Sequence, residues 1–412
     1  MDVVRADGQD PGAADGAGVL ETRLIDIGRE RFARDVWGRA PLLTRRTGGF
    51  TDLFSADAVD ELISRRGLRT PFLRVAKDGS TFPDSTFTSP AGVGATIADQ
   101  LDDTALWRQF ADGATLVLQA LHRTWEPVAD FSAALSGELG HPVQANAYIT
   151  PPQNRGFDDH YDVHDVFVLQ IEGTKRWVLH EPVHPDPLRD QPWTDRRPAV
   201  ERRAAEPPLI EAVLEPGDCL YLPRGFLHAA TALGGVSTHL TLGVHSWTRY
   251  ALAEQLVAQA LQAVAEDADL RGSLALGVDF AEPASHRADV EQVRAALVAA
   301  AQAADPEVLS RTLRHQERAT RRAAPVGPLR QLREADALSP DTLLALRAHL
   351  AATLDQAEGR SVLRSRAGEL SLDEEDVAPV KTLLEQDSLA VADLGPELAR
   401  RLLLAGLAVV PG

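Results

Sequence analysis

The chain has 412 residues, 44% of them hydrophobic and 25% charged, with a formal net charge of −18. This is ordinary globular composition, long enough for two or three domains and a large core. The single cysteine, Cys219, excludes an internal disulfide framework and fits a reducing compartment, so a cytoplasmic location is expected. No apolar run reaches the roughly 20 residues of a membrane span, and the first residues lack a signal-peptide pattern. The acidity argues against broad nucleic-acid binding, which needs a basic footprint. It suits encounter with a basic partner, or serves solubility alone.

Residues 1–20 are rich in Gly, Ala and Asp and are expected to form a disordered tail. From 21 to about 115, helical and extended patterns mix: FARDVWGRAPLL reads as a helix running into an extended segment. SADAVDELISRRG reads as a capped helix ending near Gly67. From 116 to 250, short runs of Val, Ile, Leu, Tyr and Phe alternate with Pro, Gly and Asn breaks, the spacing of strands in a sandwich or barrel. After Tyr250, ALAEQLVAQALQAVAEDADL places Leu252, Leu256, Val257, Ala260, Leu261 and Val264 along one stripe. Ala-rich helical text continues to about 355. The locally basic run RTLRHQERATRRAAPVGPLRQLR reads as a solvated helix face or a binding patch. Residues 356–412 suggest two short helices and an extended end, as in a small winged-helix unit.

The segment GFDDHYDVHDVFVLQIEGTKRW holds the candidate chemistry. On a strand, side chains two apart share a face, so His160 and Asp162 would converge on one point. His-x-Asp alone is a weak signal. A second element strengthens it: Gly217, Pro223 and Gly225 frame His228 as in the second cupin motif, although Ala232 stands where that motif often ends in Asn. Two His and one carboxylate make the facial triad of non-haem Fe(II) oxygenases. Three protein ligands leave positions free for a chelating 2-oxo acid and for O2. The far carboxylate of 2-oxoglutarate would need a cation. Lys175, after a Glu172-Gly173-Thr174 turn, could reach back into a barrel, or it is a surface residue at a hairpin.

These segments, with NAYITPP and EPGDCLYLPRGFLHAATA followed by HLTLG, resemble the bacterial cupin-4 proteins and the ribosomal oxygenases of the JmjC superfamily. The resemblance implies a mixed α+β chain: a JmjC/cupin oxygenase domain at 21–250, with a double-stranded β-helix at about 116–250 and a helical surround. A helical dimerisation region at 251–355 and a winged-helix-like domain at 356–412 would follow. It assigns Fe(II) to His160, Asp162 and His228, the far carboxylate of 2-oxoglutarate to Lys175, and the pocket lining to Asn146 and Tyr148. There is one departure, Gly243, where related proteins often carry Ser after HLTL.

His164 is in phase with His160 and Asp162, where it would touch substrate or pack. His239 would line the pocket or be a buried, hydrogen-bonded His. Cys219, Trp177 and Phe167 read as core, and Asp158, Asp159 and Asp165 cluster near the expected mouth. The functional expectation is a homodimeric dioxygenase hydroxylating a C–H bond on a ribosomal or other basic protein, with Fe(II), 2-oxoglutarate and O2. The alternatives are a hydroxylase of a small molecule or peptide natural product, and a non-catalytic cupin module.

Overall fold

The computed structural model describes residues 18–411 except 46, 47, 95, 153, 155, 156, 358 and 359. The expected tail therefore lies almost wholly outside the described residues. Two compact units emerge, one ending at Ser246 and the other beginning at Trp247. Among the described residues no helix is long and apolar enough to cross a membrane.

The strands of the first unit are, in chain order, β1 (Leu42–Thr44), β2 (Leu73–Lys77), β3 (Ser80–Thr81), β4 (Thr88–Ser89), β5 (Gln100–Leu101), β6 (Thr115–Leu118), β7 (Val143–Thr150), β8 (Asp165–His180), β9 (Ile210–Leu214), β10 (Cys219–Leu222) and β11 (Leu227–Val244). The main sheet runs β1-β10-β8-β11-β7-β6-β2-β3, with β9 on the far half of β8, while β4 and β5 pair separately. All these pairs are antiparallel.

Period-2 alternation sorts the two faces. Phe167, Leu169, Leu240 and Leu242 join a core with Leu24, Phe32, Val36, Phe50 and Phe54 from the N-terminal segments. Burial of each such side chain contributes about 1.5–3 kcal/mol. On the opposite face, Val166, Val168, Trp177, Leu179, Leu220 and Leu222 form a second, interior cluster. The helix Ala56–Ser64 begins as its sequence predicts, the Ser55 hydroxyl accepting the Ala58 N–H at 3.3 Å.

β8 and β11 are paired along most of their length, from Leu227↔His180 to Val244↔Asp165, and the ladder is irregular between Leu233 and His239. Gly173 sits there at φ +64°. The bulge changes which residues face inward: Val166 and Val168 before it, Lys175 and Trp177 after it. Buried Gln170 clamps the bulge, its amide donating to Glu172 O at 2.9 Å, Gly173 O at 3.1 Å and Ser237 Oγ at 2.9 Å. The expected reversing turn at 172–174 is thus corrected: β8 continues straight through it, because both flanks find partners on β11.

The barrel is also wider in sequence than 116–250. β1 pairs with β10 and β2 with β6, both contributed from upstream. Strands of three to five residues carry little periodic signal, yet they cover edges that would otherwise expose ladder groups.

In the second unit, helices span Arg249–Glu266, Arg287–Ala303, Pro306–Thr320 and Pro328–Asp336. Helical structure does not continue to 355. Leu343–Leu346 and Thr353–Ala357 are strands. Ser339-Pro340 ends the helical text, the Ser339 N–H donating to Thr342 Oγ1 at 3.0 Å, and a four-residue apolar run is ambiguous in period. A three-stranded sheet, Thr353–Ala357, Arg360–Ser365 and Gly368–Leu372, precedes the helices Val377–Gln386, Val391–Leu394 and Pro396–Leu404 and the short strand Ala408–Val409. Leu344, Leu363, Leu383, Leu402 and Leu403 form their common core.

Gly173 has a left-handed backbone, and a Cβ there would strike the Val236 carbonyl. Gly173→Ala is expected to destabilise the first unit by about 1–3 kcal/mol, read from the midpoint of urea unfolding. An unchanged midpoint would show that the bulge tolerates a side chain.

Candidate metal centre and its cavity

His160 and His228 face each other across an isolated antiparallel bridge, His228 N donating to His160 O at 2.8 Å and His160 N to His228 O at 3.2 Å. Asp162 is fixed nearby, its carbonyl accepting the Gly225 N–H at 3.0 Å. The strand phase expected to pair His160 with Asp162 does not apply, because the strand begins only at Asp165, so backbone bridging brings the ligands together. Ligand atoms of His160, Asp162 and His228 all lie within 4.8 Å of one another.

The ring orientations suit a metal. His160 Nδ1 lies 2.7 Å from Asp158 O, and His228 Nδ1 lies 3.1 Å from Phe226 O. A carbonyl can only accept, so each Nδ1 carries a hydrogen and Nε2 is left as the atom that can bind a metal. His228 Nε2 is 3.7 Å from Asp162 Oδ2. Burial, with the neighbouring His160, depresses the His228 pKa to about 4, so it is neutral near pH 7. Burial opposes ionisation of Asp162, but His164, His228, His160 and Arg74 outweigh it and hold the pKa below the usual range. Two imidazoles and one carboxylate are a donor set that fits a divalent iron ion.

The triad opens into a cavity of about 240 Å³. Lys175, only 4% exposed, lies in its wall and donates to Thr150 Oγ1 at 3.0 Å. Burial lowers its pKa to about 7. Among the described residues no carboxylate pairs with it. Tyr148 lines the cavity and stacks on His239, ring centroids 4.9 Å apart and planes within 4°. Burial and the nearby Asp162 charge push the Tyr148 phenol up to about 12. His239 also lines the cavity. Its Nδ1 has no partner, and burial, then Lys175 and His228, hold its pKa well below the ordinary value.

Asn146 does not line the cavity; its Oδ1 accepts the Ala120 N–H at 3.0 Å, fixing a left-handed residue ahead of a short helical turn. His164 does not line it either. It stacks on His245 with centroids 5.0 Å apart and occupies the space over Gly243, where a Cβ would lie 2.6 Å from Cδ2 and Nε2. Asp165 is no mouth residue. Its buried carboxylate accepts the Arg224 N–H at 2.8 Å and the Ser246 hydroxyl at 2.7 Å. Asp158 supplies its carbonyl to His160. Trp177 lines the cavity, whereas Phe167 packs outward on Phe32, and Cys219 is core.

Sequence reasoning missed Arg74, Thr115 and Trp193, all cavity residues. Arg74 had a readable signal: in LRVAK it lies between fully buried Leu73 and Val75, on the opposite face of a strand. Trp193 lies in the long connection between β8 and β9, with its ring 6.3 Å from His160 and the Arg197 guanidinium 4.6 Å over its face.

Residues 122–252 match the JmjC domain family model. Ribosomal oxygenase 1 of Rattus norvegicus is 30% identical over 255 residues, 61% of this chain and 41% of that protein. The bifunctional lysine-specific demethylase and histidyl-hydroxylase NO66 of Drosophila mojavensis is 30% identical over 276 residues, 64% of this chain and 29% of that one. The chain thus spans less than half the length of these curated relatives. In fold, it is similar to the Escherichia coli ribosomal oxygenase YcfD in complex with cobalt and 2-oxoglutarate. That likeness has a TM-score of 0.52 and 19% identity and covers 94% of this chain and 99% of that one. The chain carries a JmjC-type cupin fold and resembles the ribosomal oxygenases.

Lys175 has a sharp linkage. Between pH 10.5 and about 7 the unfolded chain binds a proton that the folded chain does not, so this burial lowers stability as pH falls through that window. Lys175→Met is expected to stabilise the metal-free protein near pH 7 by about 1–3 kcal/mol, a gain that fades toward about pH 10. Urea unfolding at the two pH values measures it, and a destabilised variant at both would show that the ammonium is solvated.

Proposed function

We propose that the protein is an Fe(II)- and 2-oxoglutarate-dependent dioxygenase that hydroxylates a C–H bond on a side chain of a ribosomal or other basic protein. The observation that carries this is one cavity holding both the His160–Asp162–His228 triad and the buried amine of Lys175, which no described carboxylate pairs with. The names of the relatives, the JmjC match and the net acidity of the chain support it.

In this reading His160, Asp162 and His228 would hold the metal in the wall of the cavity. Fe(II) with 2-oxoglutarate supplies the oxidising power, consuming O2 and releasing CO2 and succinate. Lys175, protonated on meeting an anion, takes the far carboxylate, with Thr150 holding its Nζ. The Asp158 and Phe226 carbonyls keep the imidazoles in the metal-binding tautomer. Trp177, Val166 and Val168 keep the cavity wall apolar and limit water.

The domain roles extend the proposal. The helices from Arg249 to Thr320 form a homodimer interface. Tyr250, Leu252, Val257 and Leu261 on the first helix are exposed, and only Ala260 of the expected stripe is buried. The strands and helices after about 343 serve as a winged-helix-like unit of structural role, in a cytoplasmic protein.

Anaerobic reconstitution with Fe(II) and 2-oxoglutarate, followed by O2 and a screen of candidate ribosomal proteins for a one-oxygen mass gain, tests the activity. His160→Ala, Asp162→Ala and His228→Ala should each abolish 2-oxoglutarate turnover. Full turnover by any one sinks the triad. Lys175→Ala should weaken 2-oxoglutarate binding about 10- to 150-fold, the loss of one charge-assisted contact, more than it weakens metal binding. Light scattering after size exclusion should give twice the 44.5 kDa chain mass, lost on placing charges at Leu256 and Val257. Monomer mass across a dilution series would exclude the dimer.

A further inference from the structure

Arg74 projects from β2 onto the cavity, and its position follows from the register of four strands. Arg74 pairs with Val117, Val117 with Tyr148, and Tyr148 with His239, so the four side chains share the inward face. The guanidinium is therefore at the β2 end of a row that runs toward the stacked Tyr148 and His239 rings. Its Nε is buried and has no hydrogen-bond partner. Among the described residues it has no ion pair, whereas Lys77 on the same strand is paired with Asp112 at 2.9 Å. The charge of Arg74 is felt both at the Tyr148 hydroxyl and at the Asp162 carboxylate. A guanidinium cannot relieve the burial of its Nε by losing a proton, so a bound acceptor would complete it.

Charge accounting indicates what that partner is. Suppose the site holds a divalent metal, ionised Asp162, a doubly charged 2-oxo diacid and protonated Lys175. Those charges cancel among themselves. Arg74 then leaves one surplus positive charge on the cavity wall. In a partly dehydrated cavity that surplus repels a second cation and favours a neutral group with an acceptor atom.

We propose that Arg74 is a specificity-determining residue, admitting a neutral polar target side chain such as an imidazole or carboxamide and turning away lysine and arginine. This rests on the oxygenase reading above and deepens it. Selection then works at two ranges. The acidic chain draws in a basic segment, and Arg74 keeps the basic residues of that segment off the reacting position. The guanidinium donates, from Nε among others, to the acceptor of the neutral side chain or to an adjacent backbone carbonyl.

Four peptide pools test this, each with randomised neutral flanks and one fixed central residue: His, Asn, Lys or Arg. The holoprotein, with Fe(II), 2-oxoglutarate and O2, is read by one-oxygen mass gain at the central residue. Retention of fluorescent pools on the manganese-loaded protein gives a binding readout free of turnover. The neutral pools should exceed the cationic pools about ten- to fifty-fold, the effect of one like charge several ångströms away at an effective dielectric of about 20. Arg74→Gln should collapse that ratio toward unity, and Arg74→Lys should keep it, since charge rather than fork geometry is the discriminating feature. Melting temperatures of both variants establish that they are folded. Equal handling of the four pools by the unsubstituted protein overturns the proposal, and so does handling of none. An unchanged ratio in Arg74→Gln, or an effect of that variant confined to the 2-oxoglutarate requirement, also overturns it. Peptide-independent 2-oxoglutarate decarboxylation separates the two layers. Its absence in the unsubstituted protein removes the oxygenase reading, whereas its presence without pool discrimination removes only the role of Arg74.

Discussion

The long pairing of β8 with β11, and the irregularity in the middle of it, is the constraint on which the site depends. A two-residue period allows a strand only one set of inward positions. Without the bulge, Val166, Val168 and Lys175 could not all face the cavity, because 175 is out of phase with 166 and 168. Gly173 accepts the left-handed conformation, and Gln170 satisfies the carbonyls that the bulge frees. The same strand can therefore supply apolar wall in its first half and the buried ammonium in its second.

Around that frame the polar groups are held unevenly. The two imidazoles of the triad are oriented by backbone carbonyls, which makes their geometry independent of nearby side chains. Lys175 and Arg74 are held much less fully, one by a single hydroxyl and the other with its Nε unpartnered. Groups left under-satisfied inside a folded protein cost stability, and they persist where a ligand completes them. The contrast between a rigid donor set and two under-satisfied basic groups is what gives the cavity its chemical direction.

Much of this was legible in the sequence. The triad could be read because two short motifs, around His160 and His228, carry glycine and proline breaks and spaced ligands that apolar packing does not require. Lys175 was legible through its motif, although the reason given was wrong: a reversing turn was expected where a bulge occurs. Periodicity marks the identity of alternating residues but not a one-residue insertion opposite another strand. Asn146 was placed in the pocket by resemblance alone, and its Oδ1 accepts the Ala120 N–H, a contact between distant segments with no local signature. Arg74 was overlooked because β2 lies upstream of the strand-rich text and joins the sheet as a short strand near its edge. In the second unit, LLAL and TLDQA are too short to separate strand from helix by period, and the pairing of distant segments decided the outcome.

The ring of His164 over Gly243 ties two distant positions together. A Cβ at 243 would come within 2.6 Å of the imidazole at 164, so a side chain there requires the His164 ring to move. A hydroxyl-bearing residue at 243 would thus be accompanied by a displaced ring or a smaller residue at 164. Either single exchange from the present pair meets a clash or a void, so drift at this corner of the barrel is coupled. Homologues should fall into two combinations, glycine with a large ring or a small side chain with a small neighbour, with the mixed pairs rare.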